Sequence, residues 1–435
     1  MADTRAEDEV VGLCRDLLRI DTTNTGDTAT SAGERVAAEY VAAQLSDVGL
    51  DPTVLESEPK RTSVIVRIPG SDSAKPGLLI HGHLDVVPAD ASEWSTDPFG
   101  GEERDGYLWG RGAIDMKDMD AMMLALARQW VSGKTPPPRD VVMAFLADEE
   151  AGGSKGAGWL VDHHADLFEG CTDAISEVGG YSVTLGDQLR LYLIQTAEKG
   201  LAWTRLKAKA TPGHGSMVHR DNAVTALAEA IARIGRHEFP RVMTETLRAF
   251  ILGLGAATNT DLDPDDPATL DNLAAMSKMI AATLSNTVNP TMFTAGYKAN
   301  VIPGSAEAVV DGRFLPGQEA EFEKQLDELL GPDVHREWIA YHPAVETSFD
   351  GPLVERMVDA LKAEDPLAFP IPYLMSGGTD AKSFARLGMR CFGYSPLLLP
   401  PDLDFAALFH GIDERVPTEA LKFGVRVLDR LVMSL

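Results

Sequence analysis

The chain contains 435 residues, of which 44% are hydrophobic and 24% are charged, and its formal net charge is −27. This composition is typical of a globular protein, and a chain of this length usually forms more than one hydrophobic core, so we expect two domains. The excess of acidic residues disfavours nucleic acid as a partner, because phosphate binding requires a basic surface.

The N-terminal part of the chain alternates predicted helices with predicted strands. Apolar residues recur at helical spacing over residues 7–19 and 32–48, and Met119–Val131 has the same character. Short apolar runs that predict buried strands are Gly77–Ile80, Val141–Ala147, Ala174–Ser176 and Arg390–Tyr394. Because strands that alternate with helices usually pair in parallel, we predict an α/β fold with a mixed, mostly parallel sheet and helices on both faces.

A different pattern begins at about residue 199. Leu201–Ala210 alternates apolar and polar residues as an antiparallel strand does, and a helix-rich stretch follows over residues 240–285. This pattern predicts a discontinuous domain formed by residues 1–198 and 343–435. An α+β domain of residues 199–342 would be inserted into it.

Three widely separated cysteines, Cys14, Cys171 and Cys391, form neither a disulfide framework nor a CxxC metal site. The first residues are acidic where a signal peptide would be basic and then apolar. No apolar run approaches the length that spans a bilayer. We therefore expect a cytoplasmic protein with no membrane partner.

Acidic and histidine residues follow the predicted strands or lie in loops beside them. Ligands of open α/β sheets bind at the carboxyl ends of the strands, so these side chains are expected to converge on one edge. The residues concerned are His83, Asp85, Asp115, Glu149, Glu150, Glu177 and His410.

Histidines and carboxylates without cysteine suit zinc, cobalt or manganese. Two ions held together need a carboxylate between them, and two-metal hydrolases place their ions roughly 3.5–4 Å apart. Adjacent side chains of an extended chain point apart, but a turn at Glu149 and Glu150 would let one bind metal while the other faces the reacting water. Each residue alone has an ordinary structural interpretation, and only their joint placement predicts a metal site.

The ordered series of motifs resembles the M20 metallopeptidase and aminoacylase family over almost the whole chain. The matching segments are His83–Pro88, Asp97–Phe99, Gly110–Lys117, Asp148–Glu150, Ser176–Gly180, Gly213–Ser216, Asn300–Pro303 and Gly377–Ala381. The segment Phe409–Val416 is similar to the carboxypeptidase S and N-acyl-amino-acid hydrolase branch. The resemblance implies a zinc-exopeptidase-like catalytic domain, and an inserted ferredoxin-like domain that acts as a lid and forms a homodimer.

At the matching positions the resemblance implies two divalent metal ions, most readily zinc, with cobalt or manganese as alternatives. His83 and Glu177 would bind one ion, Glu150 and His410 the other, and Asp115 would bridge them.

The same resemblance implies the catalytic roles. Glu149 would be the general base that takes a proton from a metal-bridging water and returns it to the leaving amine. Asp85 would orient His83 and fix its tautomer. His214 would reach the site of a neighbouring subunit and stabilise the tetrahedral oxyanion.

For the substrate, the resemblance implies a small molecule or short peptide with a free carboxylate. Asn300 and Arg313 would hold that carboxylate, and the loop around Gly378 would line the pocket. The implied reaction is cleavage of an amide bond of an N-acyl amino acid or short peptide.

Two alternatives to this function remain open. The first is a biosynthetic deacylase of the succinyl-diaminopimelate desuccinylase or acetylornithine deacetylase type, whose site requires further basic residues that the sequence does not place. The second is a catalytically silent metal-binding relative, against which the intact Glu149 argues.

Two segments depart from the commonest family pattern. Residues 240–285 lengthen the inserted domain. Leu397–Leu399 and Phe409 either form an apolar pocket for an acyl group or hydrophobic side chain, or pack without contacting substrate. Six further histidines match no motif and are interpreted as structural or exposed: His163, His164, His219, His237, His335 and His342. His81, two residues before His83 on the same side of an extended strand, is interpreted as a neighbour of that ligand.

Overall fold

The computed structural model describes residues 5–186, 189–276 and 278–435. Its strands are β1 (Thr53–Glu58), β2 (Arg61–Ile68), β3 (Gly77–His83), β4 (Glu102–Arg104), β5 (Tyr107–Trp109), β6 (Val141–Leu146), β7 (Cys171–Ser176), β8 (Tyr181–Leu185), β9 (Leu189–Glu198), β10 (Gly200–Lys209), β11 (Gly213–His214), β12 (Thr287–Ala295), β13 (Val301–Ile302), β14 (Ser305–Phe314), β15 (Val334–His342), β16 (Val345–Glu346), β17 (Ala368–Met375), β18 (Arg390–Gly393) and β19 (Arg415–Pro417). Its helices are α1 (Ala6–Leu18), α2 (Arg35–Asp47), α3 (Lys117–Ser132), α4 (Ala157–His163), α5 (Ala223–Arg236), α6 (Glu245–Thr258), α7 (Pro267–Met276), α8 (Lys278–Ala282), α9 (Glu319–Leu330), α10 (Gly351–Glu364), α11 (Ala381–Phe384) and α12 (Thr418–Met433).

The larger sheet has the strand order β1-β2-β6-β3-β7-β18-β9-β16, and β8 and β17 also pair with β9. Its central strands β6, β3, β7 and β18 run parallel, whereas β1 and β2 extend it in antiparallel fashion. The predicted mixed, mostly parallel α/β sheet is therefore confirmed.

Helices cover both faces of this sheet, which explains why its central strands are apolar throughout. Leu78 and Ile80 of β3 pack in the core formed with α1, α3, α10 and α12, while Leu79 packs on the opposite face with α4 and α11. Because successive residues of a strand point to opposite faces, both faces need apolar side chains.

The smaller sheet is antiparallel and has the order β12-β14-β10-β15. Helices α5 and α9 pack on it through a core that includes Leu206, Leu227, Phe314 and Phe322. In chain order, β10, α5, β12, β14, α9 and β15 make a β-α-β-β-α-β unit, the connectivity of ferredoxin-like folds.

The helix-rich stretch 240–285 lies outside the core of that unit. Its helices α6 and α7 have a small core of their own, with Leu247, Ile251 and Leu273. Helix α6 lies on β17 of the larger sheet, so closely that a Cβ added at Gly253 would meet Ile371 Cγ2 at 2.8 Å. This stretch is therefore inserted between strands of the smaller sheet but packs against the larger one.

Within the described ranges, no helix has both the length and the apolar character needed to cross a membrane.

Candidate metal centre and active site

The parallel strands β3, β6 and β7 end at one edge of the larger sheet, and the candidate ligands begin there. His83 is the last residue of β3, and Glu177 directly follows β7. After β6, Asp148 adopts a left-handed conformation with φ of 70°, and Glu149–Ala151 forms a short 3-10 turn. The turn directs Glu149 Oε2 towards His83 and Glu150 Oε2 towards His410.

Asp115 lies between the two histidines at the centre of the site. Its Oδ1 lies 3.1 Å from His83 Nε2, and its Oδ2 lies 3.2 Å from His410 Nε2. Each imidazole has a further glutamate: Glu177 Oε2 lies 3.5 Å from His83 Nε2, and Glu150 Oε2 lies 3.3 Å from His410 Nε2. The arrangement provides two sets of ligands that share one carboxylate.

These spacings fit metal ions. Ligand atoms around one tetrahedral zinc, with bonds of about 2.0–2.1 Å, are about 3.3 Å apart. The ligand atoms of His83, Asp115 and Glu150 all lie within 4.8 Å of one another, and so do those of His83, Glu149 and Glu177. Burial and the neighbouring Asp115 carboxylate raise the pKa of Glu150 to about 8, which shows how unfavourable this concentration of acids is without cations.

Glu414 holds the two loops that carry the bridging aspartate and the second histidine. Its buried carboxylate accepts hydrogen bonds from the backbone N–H groups of Gly112 (3.1 Å) and Ile114 (2.8 Å), just before Asp115. Arg111 donates to the same carboxylate (2.7 Å) and to the carbonyl oxygen of Gly411 (2.9 Å), just after His410. One carboxylate thus couples the positions of Asp115 and His410.

Asp85 contacts His83 through its backbone rather than its side chain. The carbonyl oxygen of Asp85 lies 2.9 Å from His83 Nδ1, whereas its carboxylate oxygen Oδ1 is 3.6 Å away. A carbonyl oxygen only accepts, so Nδ1 carries the proton and Nε2 is left to bind metal. The carboxylate instead accepts the N–H groups of Glu149 and Glu150, each at 3.1 Å.

A buried network behind Asp85 was not predicted from the sequence. Asn24 Nδ2 donates to Asp85 Oδ2 at 2.8 Å, and Arg61 Nη2 donates to Asn24 Oδ1 at 2.6 Å. Arg61 Nη1 pairs with Glu34 at 2.5 Å. These residues lie far apart along the chain and match no motif, so no local signal identifies them.

Two cavities that share several lining residues open on the candidate metal ligands. We call the first the basic lobe: about 240 Å³, lined by Lys199, Arg313, His342, Lys382 and Gly378 together with Glu149, Glu150 and His410. We call the second the apolar lobe: about 330 Å³, lined by Val178, Tyr181, Tyr373, Met375 and Phe409 together with the metal ligands. Glu149 borders both lobes.

The predicted substrate-binding residues divide into two groups. Arg313 and Gly378 line the basic lobe. His214 and Asn300 are exposed and lie beside each other, since Gly215 N–H donates to the carbonyl oxygen of Asn300 at 2.9 Å. Neither of them lines a lobe, so one copy of the chain does not bring them to the metal ligands.

Several cavity residues were missed or misinterpreted. His342, interpreted as structural or exposed, lines the basic lobe, and Lys199 and Lys382 were not singled out. Leu397 and Leu399 are buried in the core of the larger sheet, so only Phe409 of the proposed apolar set lines the apolar lobe. Lys382 directly follows the Gly377–Ala381 motif, which is the one sequence signal that points to it.

A parallel sheet with His83 and Glu177 at its strand ends, and loops that bring Asp115 and His410 beside them, is the arrangement of a metal-dependent hydrolase. Residues 79–434 match the model of peptidase family M20/M25/M40, and the chain belongs to this family. The family inferred from the motifs is thereby confirmed.

Individual relatives agree with this assignment. The chain is 28% identical over 401 residues to an N-fatty-acyl-amino acid synthase/hydrolase of Xenopus tropicalis, covering 86% of this chain and 75% of that protein. It is 33% identical over 359 residues to a succinyl-diaminopimelate desuccinylase of Cereibacter sphaeroides, covering 80% of each. The fold is similar to that of an M20 family metallo-carboxypeptidase of Sulfolobus solfataricus, with a TM-score of 0.74, 19% identity, and coverage of 98% of this chain and 99% of that chain.

Proposed function

We propose that this metal-dependent hydrolase binds two divalent ions and cleaves the amide bond of an N-acyl amino acid or of a short peptide with a free carboxylate. The observation that carries the proposal is Asp115 between His83 and His410, because a carboxylate shared by two ligand sets suits a pair of ions. Zinc is the expected metal, although the same ligands accept cobalt or manganese.

The ions would supply Lewis-acid activation of the attacking water and of the scissile carbonyl. His83 and Glu177 would hold one ion, Glu150 and His410 the other, with Asp115 common to both. Glu149 would act as the general base: it accepts a proton from the attacking water and delivers it to the nitrogen of the leaving amine.

The two lobes suit the two halves of such a substrate. Arg313 in the basic lobe offers a guanidinium group to the carboxylate of the amino acid. Tyr181, Tyr373 and Phe409 in the apolar lobe offer apolar surface to an acyl chain or hydrophobic side chain. The name of the Xenopus tropicalis relative, an N-fatty-acyl-amino acid synthase/hydrolase, supports an acyl chain as one half of the substrate.

The β-α-β-β-α-β unit would act as the lid and as the contact of a homodimer. Its edge strand β12 is exposed over residues 289–294, with Met292 63% exposed and Phe293 46% exposed. An unpaired, apolar edge strand is a template for pairing with another copy. The exposed His214 and Asn300 would then reach the cavity of the partner, where His214 stabilises the oxyanion and Asn300 contacts the substrate carboxylate.

The test is hydrolysis of N-acetyl- and N-decanoyl-amino acids and of dipeptides by metal-loaded protein, beside Glu149→Gln. We expect turnover that falls by a factor of about 10³ or more in Glu149→Gln while two ions per chain remain bound. Glu355→Gln, at an exposed position of α10, is the matched control and should keep full activity. Absence of turnover on every substrate with both ions bound would contradict the proposal.

A further inference from the structure

Lys382 is a buried cation that faces the basic lobe. The residue is 8% exposed and lines the lobe together with Glu149. Within the part of the chain that the structure describes, its ammonium group has no hydrogen bond and no ion pair. It acts electrostatically on Glu149, Glu198 and Asp380, which are the acids around it.

Two of these acids, Glu198 and Asp380, do not fully neutralise the charge of Lys382. Burial raises the pKa of Glu198 to about 7 and raises that of Asp380 well above its usual range. Carboxyl groups with raised pKa values are partly or wholly neutral near pH 7. Glu149 is the remaining acid, and the alternative that Lys382 serves only Glu149 is tested below.

Lys199 is a second buried ammonium group on the same lobe. The residue is 2% exposed, and its Nζ donates to the carbonyl oxygen of Ser285 at 2.6 Å, a neutral acceptor. Burial and the nearby Arg313 lower the pKa of Lys199 to about 7, so near pH 7 this amine is only partly protonated, and an anion beside it would favour the charged form. Two cations held near each other repel, and an anion between them removes that repulsion.

Arg313, unlike the two lysines, has a carboxylate partner among the described residues. Its Nε and Nη2 donate to the carboxylate of Asp311 at 2.7 and 3.2 Å. Among the residues that the structure describes, the lobe therefore has an arginine for one carboxylate and, in addition, two lysines without a carboxylate partner. Buried charges in proteins are normally paired, so the missing partner is expected from the ligand.

We propose that the substrate carries two carboxylates, and that Lys382 and Lys199 bind the second one while Arg313 binds the first. This inference rests on the proposed amide hydrolysis and narrows its substrate class. Because all three cations line the lobe that we assign to the amino acid, the second carboxylate belongs to the amino-acid side chain. An N-acyl aspartate or glutamate has this chemistry. A carboxylate at the end of the acyl group, as in an N-succinyl amino acid, is the other source.

The experiment compares substrates that differ only in one charge. N-acetyl-L-glutamate is compared with N-acetyl-L-glutamine, and N-succinyl-L-leucine with N-succinamoyl-L-leucine. We expect kcat/KM to be about tenfold or more higher for the charged member of the first pair, the size of a charge-assisted hydrogen bond. A preference confined to the second pair would place the second carboxylate on the acyl group.

Variants assign the effect to the lysines. Lys382→Met and Lys199→Met should bring the ratio of kcat/KM values within a pair close to one, and Lys382→Arg should preserve it. Lys362→Met, at an exposed position of α10, is the matched control and should leave the ratio unchanged.

Three results would overturn the inference. Equal kcat/KM within both pairs in the native protein would show that no second carboxylate is recognised. An equal loss on both members of a pair in Lys382→Met would show that Lys382 serves Glu149 instead. If no substrate is hydrolysed, the proposed function fails by itself. In that case, calorimetry compares the affinities of N-acetyl-L-glutamate and N-acetyl-L-glutamine for metal-loaded Glu149→Gln. Equal affinities would overturn the inference of a second carboxylate.

Discussion

The side-chain amide of Asn24 donates a hydrogen bond of 2.8 Å to the carboxylate of Asp85, and this carboxylate accepts hydrogen bonds from the backbone N–H groups of Glu149 and Glu150. Arg61 binds the other end of the amide and so fixes which atom of Asn24 faces Asp85. Asn24 therefore positions Glu149, the proposed general base, and Glu150, a proposed metal ligand, through Asp85.

Asn24→Ala should weaken metal binding by about 10–100-fold, the usual effect of removing a partner behind a metal ligand. The reason is that Asp85 loses its side-chain donor and the turn after β6 loosens. Metal dissociation constants from chelator competition measure the effect. Asn272→Ala, at an exposed position of α7, is the control. Unchanged affinity and unchanged kcat in Asn24→Ala would refute the positioning role.

Replacing a proposed metal ligand should lower the number of bound ions according to the ligand set or sets to which it belongs. We expect His83→Ala and His410→Ala each to retain about one ion per chain, and Asp115→Ala to lose most of both, because Asp115 is common to the two sets. Elemental analysis after gel filtration gives the count, with His163→Ala on the exposed side of α4 as control. Two ions per chain in Asp115→Ala would rule out its bridging role.

The apolar lobe should set the preference for long acyl chains. Phe409→Ala should lower kcat/KM for an N-decanoyl amino acid about tenfold relative to the N-acetyl compound, because apolar contact area is lost. Leu398→Ala changes a partly buried residue that packs on the core without lining either lobe, so it should leave the chain-length preference unchanged. The opposite pattern would favour the packed-loop interpretation of Phe409.

A mixing experiment tests whether His214 acts across a dimer. His214→Ala and Glu149→Gln should each be nearly inactive alone. If the subunits exchange, mixed dimers contain one site with both groups, and about a quarter of the native activity should return. Phe293→Asp, at an exposed position of β12, should prevent both dimer formation and the return of activity on mixing. Activity of His214→Ala close to native would refute any role for His214.

Glu364 should contribute stability that depends on pH. Burial alone raises its pKa, but hydrogen bonds from Arg430 (2.6 Å) and Arg426 (3.0 Å) lower it below 4.5. A lowered pKa in the folded state stabilises above the unfolded pKa, and this stabilisation is lost as pH falls through the folded pKa. Glu364→Gln should therefore lower the free energy of unfolding by about 1 kcal/mol at pH 7, since solvent screens the partly exposed arginines.

Denaturant unfolding of native protein and Glu364→Gln at pH 7 and at pH 3 measures this difference, which should shrink at pH 3. Glu355→Gln is the control, because this glutamate is exposed and has no ion pair among the described residues. A difference that stays constant between the two pH values would contradict the role of the pair.

Patterns local to the chain predicted the strands whose ends carry the candidate site. The apolar runs before His83, Glu149 and Glu177 identified β3, β6 and β7, and parallel strands bring their carboxyl ends to one edge whatever the rest of the fold does. The turn at Glu149 and Glu150 was also foreseeable, because both side chains cannot serve one site from an extended chain.

Contacts between distant segments were decided only by the tertiary structure. Asn24 and Asp85 are 61 positions apart, and their hydrogen bond depends on how the loop after α1 packs on the end of β3. The charged lining of the basic lobe depends on Lys199 and Lys382 being buried beside Arg313, which no spacing encodes. Leu397 and Phe409 are both apolar residues close to His410 in the sequence, which does not distinguish their roles. Leu397 packs in the core, whereas Phe409 lines the apolar lobe.

The sequence by itself therefore determined the fold class and the family and predicted the candidate metal ligands, because periodic patterns and ordered motifs are local to the chain. Only the tertiary structure decided which groups Asp85 contacts, where stretch 240–285 packs and which cations line the basic lobe, because burial and pairing depend on neighbours from remote parts of the chain.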